Sequence, residues 1–238
     1  MQKNELCHFL VAIVIALCAS VATVTAQEQA LPPLTDETSA QFLAIGRLGQ
    51  AGFRVNQGCT ATLIAPDLIV TAAHCASASG HSGKVFVAGW SRGDFIALRE
   101  TQVELRHPAY ALNGTHRPRN DIALVVLESP IEEVTPIPLG DVDDVTLLGT
   151  DVALIGYHRQ IPHILSGDFN CPVTYFGLGL LRVGCPVING NSGAPILNKA
   201  ANGDWQVVGV VSSQIAGGAI AVELPDWLKR AVTAHLDR

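Results

Sequence analysis

The sequence predicts an all-β fold, a sandwich or barrel, finished by one C-terminal helix. From Phe42 onward the chain breaks into short apolar runs, among them "CTATLIA", "DLIVTAA", "KVFVAGW", "DIALVVL", "DVALIGY" and "WQVVGVVSS". Between the runs stand Pro-Asp, Ser-Gly, Arg-Gly-Asp, Leu-Gly-Asp and Asn-Gly-Asp, whose fixed φ, positive φ or self-bonding side chains suit turns. Only the last stretch, "LPDWLKRAVTAHLDR", spaces large residues (Trp227, Leu228, Val232, Leu236) near helical intervals, with Pro225 at its start. Short strands at this spacing build sandwiches and barrels, and the helix is expected to pack on them.

The elements follow in chain order. Residues 1–26 begin polar with Lys3, run apolar from Phe9 to about Ala22, and end in Val24-Thr25-Ala26. That pattern is a secretory signal peptide cut after Ala26. The apolar run is short for a membrane span, and no basic stop follows it. A lipoprotein site at Cys18 is disfavoured by the bulky Leu17 before it. Residues 27–41, "QEQALPPLTDETSAQ", are polar and proline-bearing without periodicity, so a linker or short propeptide is expected there. The remainder, 42–238, is the folded part. The whole chain is 48% hydrophobic and 15% charged, ample apolar content for an ordered core. The net charge of -6, with Lys and Arg scattered, excludes a nucleic-acid surface.

Export governs how the cysteines are read. Cys7 and Cys18 leave with the signal, and Cys59, Cys75, Cys171 and Cys185 remain. An even number in an oxidising compartment implies disulfides, of which four cysteines allow three connectivities. Sequence proximity favours Cys59–Cys75 and Cys171–Cys185, each closing a loop of about fifteen residues. A zinc site would need closer Cys or His pairing than the chain offers, so no metal and no cofactor is expected.

Three stretches carry chemistry. In "LIVTAAHC" (68–75) a strand runs into small residues and then His74, beside a cysteine that a disulfide would hold still, as a general base requires. In "RPRNDIALVVL" (117–127) Asp121 stands at a polar-to-apolar boundary, where a buried carboxylate needs a partner such as an imidazole N–H. In "GNSGAP" (190–195) glycines flank Ser192 and allow the amides of Gly190 and Ser192 to face one small space, which suits a developing oxyanion. Singly, each has an ordinary reading: a strand-end histidine, a strand-entry aspartate, a Gly-rich turn. Together they give the order His, Asp, Ser in an exported β-rich chain, the order of one known triad template.

On these motifs, with "AIGRL" (44–48), "HPAY" (107–110), "LIGY" (154–157) and "VVGVVSS" (207–213), the chain resembles the chymotrypsin-like (trypsin-like) serine endopeptidases. Within them it resembles the bacterial, V8-like glutamyl endopeptidase branch. The resemblance covers nearly all of the mature chain. It implies two packed six-stranded antiparallel β-barrels, about 42–140 and 141–224, then the helix 225–237. It implies a triad of His74, Asp121 and Ser192, an oxyanion hole from Gly190 and Ser192, and Ser212 near the buried aspartate. It also implies protein or peptide substrates, action as a monomer in the secreted or periplasmic space, and no stable membrane association once the signal is removed. A catalytically silent relative acting as a binding module is the alternative, and the intact motifs oppose it.

The chain departs from the animal members at Asn191, where they carry aspartate, and it lacks an Ile-Val-Gly-Gly start. A neutral amide needs only hydrogen bonds, so the oxyanion hole is expected to form without an N-terminal salt bridge. The position of the acidic pocket base of trypsin-like cleavage is Pro186, and the position of the glutamate-selecting histidine is Val211. Pro186, Val187 and Val211 therefore suggest an apolar pocket, with Ser212 on its wall and Gln214 narrowing it or adding a polar contact. His158 and His163 flank the loop "HRQIPH" and lack a third metal ligand, so a surface loop is expected. His107, before a proline, is read as structural, while His81, His116 and His235 carry no argument. Arg92-Gly93-Asp94 reads as a turn, and Asn113-Gly-Thr115 as a conditional glycosylation acceptor.

Overall fold

The computed structural model describes residues 29–50, 58–76, 84–110, 117–141 and 147–237. The signal segment, His81, His116 and the Asn113 acceptor lie outside the described residues. Six strands, β1 (Ile45–Gln50), β2 (Cys59–Ala65), β3 (Leu68–Thr71), β4 (Lys84–Ala88), β5 (Ala97–Arg106) and β6 (Ala123–Leu127), close into one antiparallel barrel in the order β1-β2-β3-β6-β5-β4. Six more, β7 (Asp151–Gly156), β8 (Ser166–Gly177), β9 (Leu180–Val183), β10 (Pro195–Lys199), β11 (Trp205–Ile215) and β12 (Gly218–Glu223), close a second in the order β10-β11-β12-β9-β8-β7. Closure leaves no sheet edge unpaired, so the fold needs no separate device to protect one.

The strand sequences follow from their surroundings. All of β3 and all but the first residue of β2 are buried, so these strands are apolar or threonine-rich on both faces and read as continuous runs. Strand β5 is less buried: Val103 and Leu105 are exposed, whereas Glu104 and Arg106 are largely covered and pair with each other at 3.0 Å. Strand β8 holds Cys171 and Val173 inward while Pro172 and Thr174 face solvent. Phe86, Leu63, Ile69 and Leu124 fill the first barrel, and Leu154, Leu181, Val183 and Ile196 the second. The first core continues across the junction through Ile155, Leu197 and Val210, which binds the barrels together. Each large side chain so buried contributes about 1.5–3 kcal/mol.

The chain ends differ in detail from expectation. The segment read as a linker or short propeptide is docked on the second barrel over its described part. Leu31 and Leu34 are buried, Pro33 bridges to Ser166, and the amides of Leu34 and Gly167 donate to Leu165 O and Pro32 O, both at 2.9 Å. A single-turn helix α1 (Asp36–Ser39), capped by the Thr35 hydroxyl, follows it. The terminal helix α2 (Asp226–Leu236) starts after Pro225 and buries Leu228. Trp227 meets the His107 ring edge-on at 5.8 Å. Leu236, expected on the packed face, is 59% exposed. His235, for which the sequence carried no argument, donates from Nε2 to both carboxylate oxygens of Asp67 at 2.9 and 3.0 Å. Arg92-Gly93-Asp94 is a turn with Arg92 at φ +49°, and Arg92 pairs with Asp36 at 2.6 Å.

The cysteines pair as Cys59–Cys75 and Cys171–Cys185, with Cα separations of 6.0 and 5.2 Å. Replacing Cys171 and Cys185 together by serine should lower unfolding stability by about 3 kcal/mol, the closure entropy of such a loop. Urea titration of the two proteins checks this, and an unchanged midpoint would refute it.

Candidate active site

Strand β3 delivers His74. After Thr71 the chain turns through Ala72 and Ala73, both fully buried, and only small residues fit between the barrels there. The His74 side chain is 34% exposed at the mouth of the junction. Asp121 arrives from the other side of the same barrel, just before β6. A 3-10 turn over Pro118–Asn120, in which Asp121 N donates to Pro118 O at 3.0 Å, aims it inward.

The Asp121 carboxylate has no exposed surface, and among its partners are donors from His74 and Ser212. The His74 main-chain N–H reaches Oδ1 at 2.8 Å, and His74 Nδ1–H reaches Oδ2 at 2.7 Å. The Ser212 hydroxyl also reaches Oδ2, at 2.7 Å. Burial pushes the Asp121 carboxyl upward, but the hydrogen bond and charge of His74 and the Ser212 hydroxyl outweigh it, leaving it below its ordinary value of 3.8. Ser212 comes from the second barrel. It sits where the β11–β12 register shifts between Val211 and Ser213, and such a bulge re-aims a side chain.

The Ser192 loop connects β9 to β10. Gly190 at φ +105° and Gly193 at φ +81° take backbone angles that L side chains rarely adopt. A Cβ on Gly193 would overlap Thr60 O and Thr71 Oγ1 of the first barrel. Asn191 is fully buried: its Oδ1 accepts from Ile188 N at 2.9 Å, and its Nδ2 donates to Tyr157 O at 3.2 Å. The amides of Asn191 and Gly193 donate to Ile188 O and Val211 O. Those of Gly190 and Ser192 donate to no acceptor among the described residues.

Thr60, which the sequence did not single out, ties the loop to the first barrel. Its N–H donates to Ser192 O at 2.8 Å. Its hydroxyl donates to Gly190 O at 2.9 Å and accepts from Tyr157 N at 3.0 Å. The nearest signal in the sequence was a pair of threonines, Thr60 and Thr62, inside an otherwise apolar strand. Thr71 Oγ1 donates in turn to Thr60 O at 2.8 Å.

Of the residues expected at a pocket, Pro186, Val187 and Gln214 line one cavity of about 460 Å³, together with Ile215, Gly217 and Gln29 of the docked N-terminal segment. Val211 does not line it: its side chain is packed into the second barrel's core. Ser212 is turned toward Asp121 instead. The histidines of the "HRQIPH" loop are not a surface pair. His163 is exposed, its ring 6.0 Å from that of Trp90, whereas His158 is 2% exposed and bonded to Leu31 O. The described groupings of metal-ligand type, around His74 and around Asp168, take their sulfurs from the two disulfides, so those sulfurs are not thiolates.

A family model, the trypsin-like peptidase domain, matches residues 59–210. Proproteinase E of Bos taurus is 28% identical over 211 residues, which cover 75% of this chain and 81% of that protein. Snake venom serine protease BthaTL of Bothrops alternatus is 27% identical over 195 residues, covering 70% and 77%. A solved structure of Glu endopeptidase in complex with MPD superposes with a TM-score of 0.71 at 19% identity, covering 90% of this chain and all of that one, a likeness of fold. The family match spans more than half of the chain and includes His74, Asp121 and Ser192, and the chain therefore belongs to the trypsin-like peptidase family, as a serine-type endopeptidase.

Proposed function

We propose that the chain is an exported endopeptidase that hydrolyses peptide bonds through His74, Asp121 and Ser192. The observation that carries this reading is the buried Asp121 carboxylate holding His74 by two hydrogen bonds, with the serine loop packed through Gly193 on Thr71 and Ala72 of the turn that leads to His74. With Nδ1–H bonded to Asp121, the Nε2 lone pair of His74 is left to take the Ser192 proton. Ser192 Oγ then attacks the carbonyl carbon, and the carbonyl oxygen becomes an oxyanion. The unused amides of Gly190 and Ser192 receive that charge, a donor of this kind being worth about 3 kcal/mol in the transition state. His74 returns the proton to the leaving amine, and water hydrolyses the acyl-enzyme by the same steps in reverse. Asp121 fixes the imidazole tautomer and stabilises its charged form without accepting the proton.

Asn191 supports assembly of the oxyanion hole without an ionic switch, because its buried amide is satisfied by Ile188 N and Tyr157 O. The substrate residue before the cut bond enters the cavity of Pro186, Val187 and Gln214, an apolar space with amide groups at its rim. The signal segment is removed after Ala26, and the protein acts as a monomer in the secreted or periplasmic space. Two disulfides fit an oxidising compartment. Among the described residues no helix is long and apolar enough to cross a membrane.

Three measurements test this. A fluorophosphonate should label wild-type protein and not Ser192→Ala, and turnover of the variant should fall on the order of 10⁶-fold; an unlabelled, correctly folded wild type would mean a binding protein. A peptide library should show apolar residues before the cut bond favoured over Lys, Arg and Glu by roughly tenfold or more in kcat/KM. Because the Asp121 pKa is depressed on folding, its ionisation stabilises the folded state above the ordinary value of 3.8, and that contribution is lost as pH falls through the lower folded value. The melting-temperature advantage of wild type over Asp121→Asn should thus be constant above about pH 5 and shrink below about pH 4.

A further inference from the structure

His158 is buried at 2% exposure and has no part in the proposed triad. Its Nε2–H donates to the Leu31 carbonyl at 3.1 Å, and its Nδ1 has no partner among the described residues. The ring is therefore neutral with its proton on Nε2. Burial, opposed by the Leu31 carbonyl, holds the imidazole below its ordinary value.

The backbone around His158 is the bed on which the serine loop lies. A Cβ on Gly190 would come within 2.7 Å of His158 Cα, 3.1 Å of Tyr157 O and 3.3 Å of Arg159 N, so the glycine rests flat against this strip. Arg159 N donates to Asn189 O at 2.8 Å, and Asn191 Nδ2 donates to Tyr157 O at 3.2 Å. Residues 157–159 thus touch each of 189, 190 and 191. On the other side of the ring lies the N-terminal segment, held by buried Leu31 and by the hydrogen bonds of Pro32 and Leu34 to β8 and its approach. The imidazole joins the two across 127 positions of sequence.

We propose that His158 is a positioning residue for peptide hydrolysis: through the Leu31 carbonyl it clamps the docked N-terminal segment to the strip 157–159 and so holds the Gly190 amide in line for the oxyanion. The proposal rests on the active-site reading above and deepens it. The clamp is a neutral hydrogen bond to an internal carbonyl, so it does not depend on which residue before Leu31 is the first. It gives the segment 29–36 a role in turnover as well as in packing.

The test is steady-state hydrolysis of a chromogenic ester, with active sites counted by the acyl-enzyme burst. The proteins are mature wild type, His158→Leu, which keeps bulk without a donor, and His158→Gln, whose amide N–H replaces Nε2–H. Leu31→Ala loosens the segment from the other side, and the double variant His158→Leu with Leu31→Ala completes the cycle. For His158→Leu, kcat per titrated site should fall about tenfold with KM within about twofold, the pattern of an interaction made only in the transition state. His158→Gln should recover most of the loss. The double variant should be little worse than His158→Leu alone, because both lesions break one link. Wild-type kcat per site in His158→Leu, no recovery in His158→Gln, or multiplying effects in the double variant would each overturn the proposal. Should His158→Leu fail to fold, Leu31→Ala decides alone: reduced kcat per site at unchanged KM supports the clamp, and unchanged kcat overturns it. A wild type that neither hydrolyses the ester nor reacts with a fluorophosphonate overturns the active-site reading itself, whereas an active wild type with unaltered variants overturns only the clamp.

Discussion

A carboxylate with no exposed surface constrains this molecule more than any other group. Taking Asp121 out of water costs several kcal/mol unless its lone pairs are met by donors. Two donors belong to His74 of the first barrel and one to Ser212 of the second. The requirement therefore reaches beyond one side chain, because the barrels must meet in the register that brings the β11 bulge over the carboxylate. The same contacts that make the burial tolerable also orient the imidazole. Stability and the geometry proposed for catalysis thus share one set of hydrogen bonds.

A second, uncharged set holds the serine loop. Thr60 is fully buried, and its amide, carbonyl and hydroxyl all bond, to Ser192, Thr71, Gly190 and Tyr157. Gly193 allows this approach, since any side chain there would strike Thr60 and Thr71. Asn191 completes the set from below. Within this loop the amides of Asn191 and Gly193 have main-chain acceptors, and among the described residues those of Gly190 and Ser192 have none. The proposed oxyanion hole uses those two donors, which a partly dry junction would make more effective toward developing negative charge.

The N-terminal segment shows how burial can reassign a stretch that reads as a spacer. Its prolines and polar residues carry no periodicity, yet Leu31 and Leu34 anchor it, and the intervening prolines keep it extended against β8. Gln29 then lines the cavity of Pro186, Val187 and Gln214, and Leu31 O becomes the partner of a buried histidine. The same stretch therefore touches both the pocket and the bed of the serine loop.

Much of the architecture was legible in the residues because its signals are local. Turn residues punctuate "CTATLIA", "DLIVTAA" and "DVALIGY", so these strands announce themselves. Strand β8 does not, because Pro172 and its polar neighbours interrupt any apolar run. The cysteines pair with near neighbours, which proximity in the chain suggests. His74, Asp121 and Ser192 each sit in a short motif whose chemistry is written in adjacent residues. Val211, Leu236 and His158 were misread because consecutive residues cannot say what lies opposite them. A side chain's burial is decided by which distant segment lands on it: Leu31 on His158 across 127 positions, Tyr157 on Thr60 across 97. The sequence by itself determined the all-β class and the disulfides, and it supplied the three side chains of the proposed triad. Tertiary structure alone decided that Thr60 bonds to the serine loop and His158 to Leu31, because a polar group inside a protein is defined by its partner, and these partners are remote in the chain.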